Sequence, residues 1–72
     1  MDTPMANLNN QILEALQNDS RTKKAIIEVA VLGGIVTLTG TVKSGSIRQA
    51  AEAITRNQEG VISVVDELKV GG

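Results

Sequence analysis

The stretch that decides the fold is GIVTLTGTV, residues 34–42. Its side chains alternate between two faces of a strand: Val36, Leu38, Gly40 and Val42 on one, and Ile35, Thr37, Thr39 and Thr41 on the other. The valine face is therefore expected to meet the core. A glycine on a buried face is typical of a bulge or of a close approach by a helix backbone, so Gly40 is predicted to be a packing residue.

This stretch is the second strand of a predicted β-hairpin. Residues 25–32, which precede it, are mostly β-forming residues. Between the two strands, Gly33 and Gly34 supply two positions that tolerate positive φ, as a two-residue hairpin turn requires. The start of the first strand should therefore lie beside the end of the second.

Amphipathic helices are predicted on both sides of the hairpin. The first begins with the Thr-Pro pair at residues 3–4, and short polar side chains at residues 18–20 end it. Its apolar face carries Met5, Leu8, Ile12, Ala15 and Leu16. The second helix has a cap at either Ser44 or Ser46 and stops near Asn57.

A third strand is predicted over residues 61–70, with Val64, Leu68 and Val70 on its inner face. Asp66 interrupts that face. A buried carboxylate needs hydrogen bonds or a cation, so Asp66 either caps a nearby loop or meets a cation there. A right-handed crossover through the second helix makes this strand parallel to the second.

The predicted class is α+β, in the order α-β-β-α-β. The architecture is a two-layer sandwich with a three-stranded mixed sheet and two helices on one of its faces. Seventy-two residues leave room for one domain. We expect a lead and helix start over residues 1–7, the domain over residues 8–70 and a tail at residues 71–72.

The composition lacks the side chains that most enzymes and metal sites use. The chain has no His and no Cys, so a general base, an imidazole ligand and an activated thiol are missing, and we expect no enzyme activity, metal site or cofactor. It has no aromatic residue for base stacking, and its net charge of −1 provides no general attraction for nucleic acid. No signal peptide is visible, so the chain as given is expected to be cytoplasmic, or periplasmic or envelope-located if excised from a longer protein.

The topology predicts a basic cluster at one end of the sheet, where the start of the first strand meets the ends of the other two. Five of the seven basic residues are expected there: Lys23, Lys24, Lys43, Arg48 and Lys69. The N-terminus of the second helix adds free amides that attract anions. We interpret this end as a phosphate or headgroup contact, or alternatively as a solvated end that keeps the domain soluble.

The outer face of the predicted sheet is unusually apolar. By alternation it presents Ile26, Ala30, Leu32, Ile35 and Val65 among threonines and glutamates. Because helices cover only one side of this sheet, the face is left open. It predicts a homo-oligomer or a docking surface for a neighbouring domain, or alternatively only scattered exposed apolar groups.

The chain resembles the BON domain, the bacterial osmotic-stress and nodulation domain. The resemblance rests on residues 34–42, followed by Ser44, Arg48, Ala50 and Ala51, and on the later Gly60, Val61, Val64, Leu68 and Val70. It covers about residues 8–70. The family usually carries Asn where this chain has Asp66.

The resemblance implies a non-catalytic binding module, common in bacterial envelope proteins, that contacts phospholipid surfaces. A protein partner is the other expected contact. Because a potassium-binding member of the family exists, a small-cation sensor is an alternative. A third reading is a structural spacer within a larger protein.

Overall fold

The computed structural model describes residues 8–71. Their order is α1 (Leu8–Asn18), β1 (Ile26–Leu32), β2 (Ile35–Val42), α2 (Gly45–Arg56) and β3 (Ser63–Val70). This confirms the predicted α+β class and the order α-β-β-α-β. The predicted helix start at Thr3 and Pro4 and the apolar position Met5 lie outside the described residues.

A two-residue turn joins β1 to β2. Gly33 and Gly34 have φ values of 59° and 83°, which L side chains rarely adopt. Leu32 and Ile35 are directly opposite each other across this turn, so the register of the hairpin starts there. The hairpin is therefore set by two glycines, as the sequence predicts.

The sheet has the order β1-β2-β3, with β1 antiparallel and β3 parallel to β2. Ile26 lies opposite Thr41, and Thr41 lies opposite Lys69. The start of β1 and the ends of β2 and β3 thus meet at one end of the sheet, as the topology predicts. The strands β1 and β3 are its two edges.

The core lies between the helices and the inner face of the sheet, and its hydrophobic cluster consists of aliphatic side chains. Its buried members come from both helices and from the inner positions of two strands: Ile12, Leu16, Val36, Leu38, Val42, Ala51 and Leu68. The valine face of β2 is confirmed as the core face. Val70 shares this face, since it lies opposite Val42, but as the last residue of β3 it stays 49% exposed.

Gly40 is a packing residue, but a strand rather than a helix approaches it. A Cβ added there would lie 2.5 Å from the carbonyl oxygen of Ile26, and the φ of Gly40 is 135°. The position is thus closed to other residues by both space and backbone conformation. The missing side chain leaves room for the main chain of β1 to lie close to Gly40 at the end where Ile26 enters the sheet.

Ser44 is the cap of α2, which decides between the two predicted serines. Its hydroxyl oxygen accepts a hydrogen bond of 3.3 Å from the amide of Ile47. At the other end, the amide of Asn57 donates to the carbonyl of Ala53 at 3.1 Å and closes the helix near the predicted stop. The start of α2 is thereby held beside the end of β2.

Candidate functional site

A groove of about 680 Å³ opens at the end of the sheet where the three strands meet. Three basic residues lie along it, Arg21, Lys24 and Lys43. Lys24 is two residues before β1 and Lys43 is the residue after β2, so the antiparallel pairing of these strands brings them together. The turn after α1 and the end of β2 thus contribute cations to one concave surface.

Apolar side chains form much of the groove between these cations. Ala25 precedes β1, Ile26 begins it and Ile47 lies in the first turn of α2. Val42, at the end of β2, also borders the groove but is only 2% exposed. Glu28 and Thr41 also line it, on the side of the outer sheet face. The groove therefore combines an apolar surface with cations, which suits an amphiphilic anion.

The five basic residues predicted to cluster are divided by the structure. Lys24 and Lys43 share the groove. Lys23 and Lys69 are exposed at the same end but do not line it, and Lys69 lies on the outer face of β3. Arg48 lies elsewhere, on the side of α2 that faces β3.

Arg48 forms an ion pair with Asp66. Its Nε lies 3.4 Å from Oδ1 of Asp66, whose side chain is 12% exposed against 46% for the arginine. The same Oδ1 accepts a hydrogen bond of 3.0 Å from the amide of Leu68. Asp66 is thus satisfied by an arginine and a main-chain amide on its own strand, and Arg48 lines a separate polar pocket of about 350 Å³.

Arg21 lines the groove although it was not among the five predicted residues. Its guanidinium makes two hydrogen bonds to the carboxylate of Asp19, from Nε at 3.0 Å and from Nη2 at 2.9 Å. These side-chain hydrogen bonds, together with one of 2.8 Å from the amide of Arg21, lower the pKa of Asp19 to about 2. The signal available in the sequence was that Arg21 opens the basic stretch of residues 21–24.

The turn that carries these basic residues is rigidly hydrogen bonded. Thr22 is buried, and its hydroxyl donates to the carbonyl of Leu16 at the end of α1. The amides of Thr22 and Lys23 donate to the carbonyl of Asp19 at 3.1 and 2.8 Å, and that of Ala25 donates to Thr22 at 3.0 Å. One wall of the groove is therefore preorganised.

The outer face of the sheet is as apolar as predicted. All five predicted positions are exposed: Ile26, Ala30, Leu32, Ile35 and Val65. Ile26 and Leu32, at the two ends of β1, are each 82% exposed. Sequence reasoning missed Ile62, which is 79% exposed. The predicted strand began at residue 61, so alternation placed Ile62 on the same face as Val64, whereas β3 begins only at Ser63.

Neither a metal cluster nor a spanning helix is found within residues 8–71. No group of three or more acidic, His or Cys side chains there is placed to hold a metal ion. The two helices in this range are too short and too polar to cross a bilayer.

The comparisons with known proteins agree with the fold. The family model described as BON domain matches residues 5–72. No curated protein matches the chain significantly. The family match covers nearly the whole sequence, including the glycine hairpin, the groove and the strand that carries Asp66. The chain belongs to the BON domain family.

Proposed function

We propose that residues 8–70 form a module that contacts anionic phospholipid headgroups through the groove at the end of the sheet. BON domains are a non-catalytic, binding type of domain, and membership makes a binding role the starting point. The observation that carries the proposal is the meeting of Lys24 and Lys43 in one groove with an apolar surface between them.

Local charge, rather than overall charge, would drive this contact. The net charge of the chain is −1, so an anionic membrane would attract the molecule only through the end that presents its lysines. Each lysine held near an anionic surface contributes about 1 kcal/mol to binding. Arg21 contributes less because Asp19 neutralises it at 2.9 Å.

The test is co-sedimentation with vesicles of phosphatidylglycerol and phosphatidylcholine, at low and at high salt. We expect binding to the anionic vesicles that weakens as salt rises, because screening shortens the range of the lysine charges. A double variant, Lys24→Gln with Lys43→Gln, should weaken binding by roughly 30-fold, since it removes two such contacts.

A matched control separates the groove from general electrostatics. Lys23→Gln with Lys69→Gln changes the net charge equally, and both residues are exposed outside the groove. The control should retain most of the binding. Equal losses in both double variants would mean that charge alone drives binding, and no binding to anionic vesicles at all would exclude the headgroup contact.

Contact with protein is the second candidate function, and the exposed apolar face favours it. Leu32 and Ile26 present aliphatic side chains that are 82% exposed. Several exposed apolar side chains on one face of a small domain favour an interface, here with a second copy or a neighbouring domain. Sedimentation velocity over a range of concentrations tests the homo-oligomer, which Leu32→Asp should disrupt. A monomer at every concentration excludes it.

The cation-sensing alternative makes a different prediction. Under this alternative, adding potassium should change amide chemical shifts near Asp66 or near the main-chain carbonyls that hold the cation. Adding vesicles should not produce the same changes. Asp66 already accepts hydrogen bonds from Leu68 and pairs with Arg48, so its carboxylate has partners without a cation. A spacer, in contrast, would respond to none of these additions.

A further inference from the structure

The apolar part of the groove calls for a ligand with an alkyl chain as well as a charge. A headgroup contact alone would use Lys24 and Lys43 and leave the aliphatic surface between them in water. Ile26 and Ile47 line this space from different elements, β1 and α2. Two elements therefore contribute accessible apolar side chains to one channel.

Two features of the fold also shape this channel. Gly40, which lines it, has no side chain to fill it. The turn on its other side is fixed by the buried hydroxyl of Thr22, so the wall does not have to be ordered on binding. A preorganised site loses less entropy when a ligand enters.

We propose that the groove binds one single-chain anionic amphiphile, with its charged head between Lys24 and Lys43 and its alkyl chain along Ile26 and Ile47. The positive charges of Lys24 and Lys43 favour an anionic head. Glu28, at the outer edge of the groove, repels a second negative charge and so orients the head toward the lysines. The volume of about 680 Å³ is within the range of pockets that hold small ligands, roughly 300–1,000 Å³.

This inference rests on the proposed function for its anionic head but adds the chain as a separate source of affinity. Removing one methylene group from water strengthens binding by about fourfold. A contact with the headgroup alone has no such dependence on chain length. The dependence on chain length is therefore the property that distinguishes the two.

The experiment titrates the folded domain with octyl, decyl and dodecyl phosphate, each below its micelle-forming concentration, and follows amide shifts. Affinity should rise by about fourfold for each added methylene, with shifts at Ala25, Ile26 and Ile47. Glycerol phosphate, a head without a chain, should bind far more weakly. Affinity that does not change with chain length would overturn the inference.

Two equally exposed residues on β1 provide the matched variants. Ile26→Ser should weaken dodecyl phosphate binding by roughly tenfold, because it removes apolar surface from the channel. Leu32→Ser, at the far end of the same strand and also 82% exposed in the parent chain, should leave binding unchanged. Equal losses in both variants would show that the chain binds the outer face instead, and would overturn the inference.

The vesicle assay keeps the two proposals separable. If anionic vesicles bind through Lys24 and Lys43 while alkyl phosphates show no dependence on chain length, the headgroup contact stands and the amphiphile site is wrong. If alkyl phosphates bind with the expected dependence while vesicles do not bind, the groove holds free amphiphiles and the membrane contact is wrong.

Discussion

The side-chain amide of Asn9 donates a hydrogen bond of 3.0 Å to the main-chain carbonyl of Val29. Val29 is the middle residue of β1, an edge of the sheet. On the opposite edge, Oδ1 of Asp66 accepts from the amide of Leu68 in β3. Each edge strand thus has a main-chain group satisfied by a polar side chain, which reduces its tendency to pair with another strand.

Asn9→Ala should weaken the domain and open the β1 edge. The carbonyl of Val29 loses its partner, so the free energy of unfolding in urea should fall by about 1 kcal/mol. The control is Asn10→Ala, an exposed neighbour in the same helical turn with the same gain in helix propensity. If both variants unfold at the same urea concentration, the hydrogen bond contributes nothing to stability.

Two substitutions at Asp66 should have different costs. Asp66→Asn keeps an oxygen that accepts from the amide of Leu68 and loses only the ion pair with the half-exposed Arg48. The free energy of unfolding should therefore fall by about 0.5 kcal/mol. Asp66→Ala leaves that amide without its acceptor and should cost about 1–3 kcal/mol in urea unfolding. If both variants lower the free energy of unfolding equally, the ion pair, and not the hydrogen bond to the strand, accounts for the stabilisation by Asp66.

Gly40→Ala should be strongly destabilising, by about 2–5 kcal/mol in urea unfolding. Its new Cβ would lie 2.5 Å from the carbonyl oxygen of Ile26, and a φ of 135° strains any L residue. Gly45→Ala is the control, because no atom lies within 4 Å of a Cβ built there. It should change stability by less than about 1 kcal/mol. A mild effect at Gly40 would contradict the close approach of β1.

Asp19 should titrate at an unusually low pH. The hydrogen bonds from the side chain and amide of Arg21 lower its pKa from 3.8 to about 2. Because the folded-state pKa is the lower one, the stabilisation is present above pH 3.8 and is lost as pH falls through about 2. The carboxyl ¹³C shift of Asp19 measures this directly. Arg21→Gln should return the pKa toward its ordinary value, and an unchanged pKa would contradict this assignment.

Much of the fold was readable from local pattern. The alternation in residues 34–42 identified the core face, and Gly33 and Gly34 identified the hairpin turn, since both depend only on neighbours in the chain. Chain connectivity then made β3 parallel to β2, which placed Lys24, Lys43 and Lys69 at one end of the sheet. The same alternation identified the open apolar face.

Tertiary structure decided how the side chains at that end are used. Arg48 has a helical position near the basic end, but the packing of α2 against β3 turns it to Asp66 and away from the groove. Arg21 joins Lys24 and Lys43 because the turn after α1 folds back on Asp19. The sequence by itself determined the elements and their faces, because these follow from chain-local periodicity. Only the tertiary structure determined the groove and the capped edges, because these depend on distances between residues far apart in the chain.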